Sequence, residues 1–279
     1  MPPSFFDIGQ RVLLRRVKSN AKDLTEIDLV DANLGPKATC KLLDALHENN
    51  VVKTLWLSGN AMGDRGAVAL ADLLKTNCNI CQVILGLNEI GATGAVAISR
   101  ALVKDGAALD VLCMGGNFGV GDLGASAIGE ALGKNTSLIE LWLRDNGIGI
   151  KGAQTLADGL RHNATLKELW LGGNDIGDEG AAALANAIRS SGTISVMDLS
   201  NNGLSDAGAS SLRDALERNF SLVKFDLSGN NITASLLKDI EELVCTNNKR
   251  VKEVRRMELH VIRKAASEGT VASSSSSSH

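Results

Sequence analysis

The sequence predicts an α/β solenoid, a stack of about eight strand–helix units, and three observations predict it. The first is a period. The 279-residue chain restarts the same pattern at Leu24, Val52, Ile80, Leu109, Leu138, Leu166, Ile194 and Leu222, with spacings of 28, 28, 29, 29, 28, 28 and 28 residues. The second is apolar patterning. With the first apolar residue of each copy as position one, positions one, four and six are apolar almost throughout, as in Leu138, Leu141 and Leu143. Alternation at four and six marks a short strand with those side chains pointing into a core. The third is polar: position nine is Asn in seven of eight copies, at Asn60, Asn88, Asn117, Asn146, Asn174, Asn202 and Asn230, with Ala32 in the first.

Taken in order, residues 1–23 hold the amphipathic pattern FFDIGQRVLLRRVK at 5–18, with Leu13, Leu14 and Val17 on one face. This reads as an N-terminal helical cap over the open end of the core. Residues 24–246 are the repeats. In each, the strand ends at the Asn, whose amide both donates and accepts and so satisfies backbone groups where the chain turns off the ladder. A Gly, often an Asp, and Gly-Ala follow, as in IGDEGA at 176–181, and the acid suits the first turn of a helix. Ala181, Leu184, Ala185 and Ile188 then recur at helical spacing. Such a unit cannot bury its own apolar face and is stable only when stacked.

Two copies carry one extra residue. In the third it lengthens the helix-to-strand return at 101–108; in the fourth it lengthens the strand-to-helix turn around Phe118, which is expected to tuck under its neighbour, the competing reading being an exposed contact on the rim. Residues 247–268 read as a basic C-terminal helical cap with Val254, Val261, Ile262 and Ala265 on one face. Its Lys249, Arg250, Lys252, Arg255 and Arg256 are expected to form a solvated face; the competing reading is an import signal or acidic-partner patch. Residues 269–279, VASSSSSSH at their end, read as a disordered tail.

The formal charge of −3 is unevenly spread. Residues 1–23 carry five Lys/Arg against two acids and 247–279 seven against three, so 24–246 stand at about −10. An acidic body argues against nucleic acid and for a basic protein or peptide surface. No apolar run reaches the length of a membrane span, and the N-terminal charges follow the apolar residues, the wrong order for a signal peptide. Five scattered cysteines suit a reducing, cytoplasmic setting. Of four Asn-x-Ser/Thr sequons, at Asn135, Asn163, Asn219 and Asn231, three share one repeat position and read as repeat sequence with no glycan.

The pattern LxxLxLxxNxI, its 28–29-residue period and its helical second half resemble a leucine-rich-repeat protein of the ribonuclease-inhibitor-like class. The resemblance covers 24–246 and implies a right-handed horseshoe with a parallel sheet on the concave face and helices on the convex face. Relatives of that pattern include ribonuclease inhibitors, the sensing segments of NOD-like receptors and Ran GTPase-activating proteins.

Motifs with a catalytic look are repeat grammar. Gly147-x-Gly149-x-x-Gly152 and Gly119-x-Gly121-x-x-Gly124 match a dinucleotide fingerprint, but their GxxG halves recur as turn and helix start, and that site needs a doubly wound sheet. EALGKNTS lacks the first Gly of a phosphate-binding loop. Cys78-x-x-Cys81 has no second pair and no nearby His. His47 and His162 end equivalent helices, and neither His260 nor His279 has a nucleophile or HExxH context. No catalytic residue, cofactor or metal is expected.

The concave face remains. Its outward residues sit at positions two, three, five, seven and eight. Position five reads Asp28, Trp56, Ile84, Cys113, Trp142, Trp170, Asp198, Asp226, so all three tryptophans lie at strand centres and five consecutive copies are apolar. At roughly 4.8 Å per strand that stripe spans about 19 Å. Positions seven and eight are often small, as at Gly115, Gly116, Gly172 and Gly173, which is expected to leave the rings open. Nine acids, Glu26, Asp28, Asp31, Asp110, Glu140, Asp145, Glu168, Asp198 and Asp226, face four bases, Lys53, Arg144, Lys167 and Lys224. An apolar stripe rimmed with charge and bearing Trp is a binding surface; the competing reading is that the rings stack and stiffen the sheet.

The expectation is a non-enzymatic interaction module that takes a protein or peptide with basic and apolar residues. Trp142, Trp170 and Trp56 are its anchors; Ile84 and Cys113 continue the stripe, and Glu140, Arg144, Asp145, Glu168, Asp198 and Asp226 are its charged contacts. Neither nucleic acid nor membrane is an expected partner. Two alternatives stand beside it. Resemblance to the Ran-activating relatives implies a regulator of a Ran-like small GTPase, although the long acidic C-terminal segment of many of them is missing here. The basic ends meeting the acidic body of another copy imply a self-assembling scaffold.

Overall fold

The computed structural model describes residues 5–103 and 108–274, with side chains described at 9, 11–103 and 108–258. Each repeat contributes one three-residue strand: β1 (Glu26–Asp28), β2 (Thr54–Trp56), β3 (Gln82–Ile84), β4 (Val111–Cys113), β5 (Glu140–Trp142), β6 (Glu168–Trp170), β7 (Val196–Asp198) and β8 (Lys224–Asp226). They pair in sequence order as one parallel sheet. The register joins like positions, so the position-five residues run unbroken from Asp28 to Asp226. Leu141 and Leu143, like Leu169 and Leu171, are wholly buried, each such burial contributing about 1.5–3 kcal/mol.

Turning off the strand, the position-nine amides bind across two repeats. Asn88 donates to the carbonyls of Leu57 (2.8 Å) and Leu85 (3.1 Å), while its Oδ1 accepts from the backbone of Asn60 and Met62. Asn60, Asn117, Asn174, Asn202 and Asn230 bond in the same manner. The ladder fails at Asn146. Its Nδ2 reaches only Arg144 O, and its buried Oδ1 has no partner. The cause is the extra residue of the fourth copy, which sends Val120 N to Asn117 O and takes the next turn out of register with Asn146. Phe118 does not tuck under its neighbour as expected: it is 70% exposed, because the inserted residue pushes it outward.

The helices α2 (Gly35–Ala45), α3 (Gly63–Thr76), α4 (Ala92–Leu102), α5 (Gly121–Leu132), α6 (Ile150–His162), α7 (Gly177–Ser190) and α8 (Asp206–Leu216) follow the strands on the other layer. They pack pairwise through small residues. At the closest pair a Cβ on Gly159 would lie 2.0 Å from Gly129 O, so the α5 and α6 backbones touch there. The first-turn acids act between repeats. Asp64, Asp122 and Asp178 each accept from two backbone N–H groups at the start of the next helix, Asp122 from Gly149 (2.8 Å) and Gly152 (2.9 Å). Such N–H groups have no partner within their own helix. Asp178 also accepts from Ser205 Oγ, and these bonds hold its carboxyl below the usual range.

A second set of buried asparagines lies before β2, β3, β5, β6 and β8 and at the same repeat position in the last helix, and it contains the three recurrent sequons. Asn163 donates to Leu132 O and Asn135 O and accepts from Thr165 N and Leu166 N. Asn49, Asn77, Asn135, Asn219 and Asn247 hold equivalent places and are likewise buried.

The ends differ in kind. Helix α1 (Phe5–Lys18) packs on α2 with Leu13, Leu14 and Val17 against the core, as the sequence predicts. At the other end α9 (Ala234–Ser274) is one continuous helix. The predicted boundary between repeats and cap at 246/247 therefore falls inside a helix, and the helix also takes in part of the predicted tail. Its first half is the helix of the last repeat, burying Leu236, Ile240 and Asn247, whereas 251–258, with Val254 among them, are exposed. The side chains of Val261, Ile262 and Ala265, tail residues 275–279 and return residues 104–107 lie outside the described residues.

Candidate functional site on the sheet face

Parallel pairing at one register forces equal positions of consecutive repeats into contact, since strands lie about 4.8 Å apart. Trp142 and Trp170 are such a pair, and their rings stack with centroids 4.4 Å apart and planes 16° from parallel. Each indole N–H bonds the carboxylate two residues back on its own strand, Trp142 to Glu140 (3.3 Å) and Trp170 to Glu168 (3.1 Å). Both rings are half-buried. The stacking that competes with binding in the sequence reading is thus present, and Glu140 and Glu168 fix the rings.

Two cations approach Trp170. Lys224 Nζ, from β8, stands 4.8 Å from the ring centroid and Arg144 Cζ 5.3 Å, within range of cation–π attraction. Arg144 reaches past β6 to form an ion pair with Asp198 on β7. Gly172 makes room: a Cβ there would lie 2.6 Å from Asp198 Oδ2. The glycine is therefore filled around, and does not leave open floor beside the ring as expected. Asp198 is also not the outward contact expected of it. It is fully buried, with Oδ1 accepting from Ser200 N, because Arg144 and Ser200 close over it. Asp226 accepts from Ser228 N; that residue's bonds, then the charges of Arg144 and Lys224, hold its carboxyl below the usual range.

Structure thus gathers Trp142, Trp170, Glu140, Glu168, Arg144, Asp198 and Asp226 into one cluster over β5–β8. Lys224 belongs to it as well; the sequence marks it only as a nearby base, and no periodic signal links position three of one copy to position five of another two copies away. Asp145 is exposed at the rim with φ 53°, its carboxylate over Gly173. Trp56 stands apart on β2, 38% exposed. Ile84 and Cys113 lie half-buried between it and the pair. Burial raises the Cys113 thiol pKa, and burial followed by the Asp110 charge raises that of Cys81. A raised pKa lowers the share of reactive thiolate at neutral pH. His47 meets Thr76 Oγ1 at 2.8 Å and His162 meets Asp158 O at 2.9 Å, both helix-end contacts. Among the described residues no group of three or more His, Cys, Asp or Glu side chains is placed to hold a metal ion, and no helix is long and apolar enough to cross a membrane.

Comparison with known proteins fits this architecture. The Leucine Rich repeat family model matches six segments, 48–71, 76–99, 134–157, 162–185, 193–212 and 218–235. Mouse leiomodin-2 is 32% identical over 129 residues, 46% of this chain and 24% of that protein. The NACHT, LRR and PYD domains-containing protein 3 of Bos taurus is 30% identical over 135 residues, 48% of this chain and 13% of that protein. The chain therefore spans about a quarter or less of the length of these curated relatives. A solved structure described as leiomodin-1 actin-binding site 2 covers 94% of this chain and 99% of its own at 17% identity and a TM-score of 0.28.

Proposed function

This chain is a leucine-rich-repeat protein, and we propose that it is a non-enzymatic binding module whose sheet face takes up a protein or peptide with basic and apolar residues. The observation that carries this is the Trp142–Trp170 plate, held in place by Glu140 and Glu168 before any partner arrives. Rigid aromatic anchors bind well because little rotamer freedom is lost on contact. Lys224 and Arg144, both resting on Trp170, support the reading that the plate takes cations. On the other side, β4 sets Cys113 beside Trp142, a side chain far smaller than an indole. A partner's cation or apolar side chain would extend the stack there, with Ile84 and Trp56 continuing the stripe. Glu140, Glu168 and Asp145 supply negative charge along it. Five scattered cysteines suit a reducing, cytoplasmic setting, and the helical half of each repeat fits the ribonuclease-inhibitor-like class.

The test is a displayed peptide library selected on the wild-type chain and on Trp142→Ala/Trp170→Ala. Wild type is expected to enrich sequences with Lys or Arg beside apolar residues, and the double variant to lose that enrichment while still melting cooperatively. Equal enrichment by both would sink the assignment.

A further inference from the structure

A second surface carries the opposite charge and lies at the returns that lead into the strands, where it takes in Lys167, counted by the sequence among the sheet-face bases. Where the returns after α7 and α8 meet α9, a groove of about 670 Å³ is lined by Lys167, Arg189, Arg218, Phe220 and Val251, with hydroxyls of Ser190, Thr193 and Ser221 between them. Arg250 lies over the Phe220 ring at 4.9 Å. No acid lines this groove, although the repeats as a whole stand at about −10. Among the described residues Arg16, Arg144, Arg161 and Arg213 each have an Asp partner, whereas Lys167, Arg189 and Arg218 are in no ion pair. Phe220 is 55% exposed and Val251 42%, so an apolar patch lies beside the cations.

The groove has a sequence cause. It opens where the second asparagine ladder is interrupted, with Ser191 at the place of Asn163 and Asn219. Those asparagines reach back to Leu132 O and Ile188 O and grip the next strand at 2.7 and 2.9 Å. Ser191 Oγ accepts from Thr193 N and Ile194 N at the longer distances of 3.4 and 3.3 Å, and Gly192 follows it with no side chain. The shorter residues leave the volume that the neighbouring copies fill.

We propose that this groove docks an acidic peptide segment of a partner protein, its Asp/Glu carboxylates on Lys167, Arg189 and Arg218 and an apolar side chain on Phe220 and Val251. The combination decides the class. A long polyanion would run from three cations onto the acidic body, which repels it, and it has no use for the apolar half. The few carboxylates that a short peptide seats on the cluster stay within about one Debye length of it, roughly 8 Å at physiological salt, where the local cations dominate.

The experiment is fluorescence anisotropy with a labelled peptide of roughly ten residues, rich in Glu and Asp and carrying one Leu and one Phe, titrated with the full chain. Binding is expected, weakened about tenfold or more by Arg189→Glu/Arg218→Glu, less by Phe220→Ser, and not by Trp142→Ala/Trp170→Ala. The charge-neutral pair Arg189→Gln/Arg218→Gln must show a smaller loss in the same direction, which guards against misfolding of the reversed pair. Absence of binding, or binding unchanged by the Arg variants, overturns the proposal. So does a loss caused equally by the Trp variant, which would put the peptide on the sheet face. Equally tight binding of an RNA oligonucleotide or polyphosphate would make the groove a general anion surface. Dimerisation of the chain alone, abolished by Arg189→Glu/Arg218→Glu in sedimentation, would make the occupant a second copy.

Discussion

Arg144 and Asp198 show how a single ion pair can turn an apparent contact into part of the frame. Asp198 is fully buried and Arg144, 41% exposed at its side chain, is its counter-charge. Removing one partner of such a pair leaves a buried carboxylate without compensation, which costs more than the pair itself contributes. Arg144→Met is therefore expected to lower unfolding stability in urea by about 1–3 kcal/mol, the range for a lost charged hydrogen bond partly screened by solvent. Arg144→Met/Asp198→Asn should recover most of that loss, because Asn keeps the acceptor for Ser200 N and removes the charge. A double variant no more stable than the single one would show that shape, not charge, sets the cost. The Trp142–Trp170 stack was legible at this scale, since equal positions of adjacent parallel strands must touch. Burial of Asp198 was not, because it depends on a residue two strands away and on a glycine between them.

Within the repeat unit, the position-nine amide closes the strand and ties it to the previous copy, and its value depends on how many bonds it completes. The Asn88 side chain completes five, at 2.8–3.3 Å. Asn88→Ala is expected to cost roughly 2–4 kcal/mol, since it leaves buried carbonyls and N–H groups unpaired. Asn146 has one donor bond and an orphaned Oδ1, so Asn146→Ala should cost about 1 kcal/mol. Urea midpoints of the two variants check the order, and equal losses would refute the account of the insertion at Phe118. The insertion itself is visible in the spacing. Its consequences, an exposed Phe and an unpaired amide one repeat later, are not, because they arise from contacts 28–29 residues apart. The buried asparagines before five of the strands are a parallel case: a recurrent position marks them as repeat grammar, but only their bonds show that they hold the helix ends to the next strand.

For the whole molecule, the two ends close one continuous core in different ways. A separate helix covers the first repeat, while the last repeat's own helix extends beyond the stack as α9. Residues 251–258 are exposed, so Val251→Ser/Val254→Ser is expected to change the melting temperature by about 2 °C or less. Truncation after Asn231 removes Leu236, Ile240 and Asn247 and should lower it by roughly 10 °C or more. A similar melting temperature for both would mean that the last repeat needs no cover. Charge is also a property at this scale. The acidic body and the basic groove between the returns after α7 and α8 and α9 give the chain two surfaces of opposite sign.

The sequence by itself determined the period, the strand and helix of each unit, the parallel register and the placing of the tryptophans on one line of strand centres, because each follows from a local pattern repeated at a fixed interval. Tertiary structure alone decided which of the outward charges are free. Glu140 and Glu168 each accept an indole N–H and Asp198 pairs with Arg144, while among the described residues Lys167, Arg189 and Arg218 are in no ion pair. Pairing between side chains depends on distances across several strands and on which glycines leave room. One repeat, read alone, contains neither.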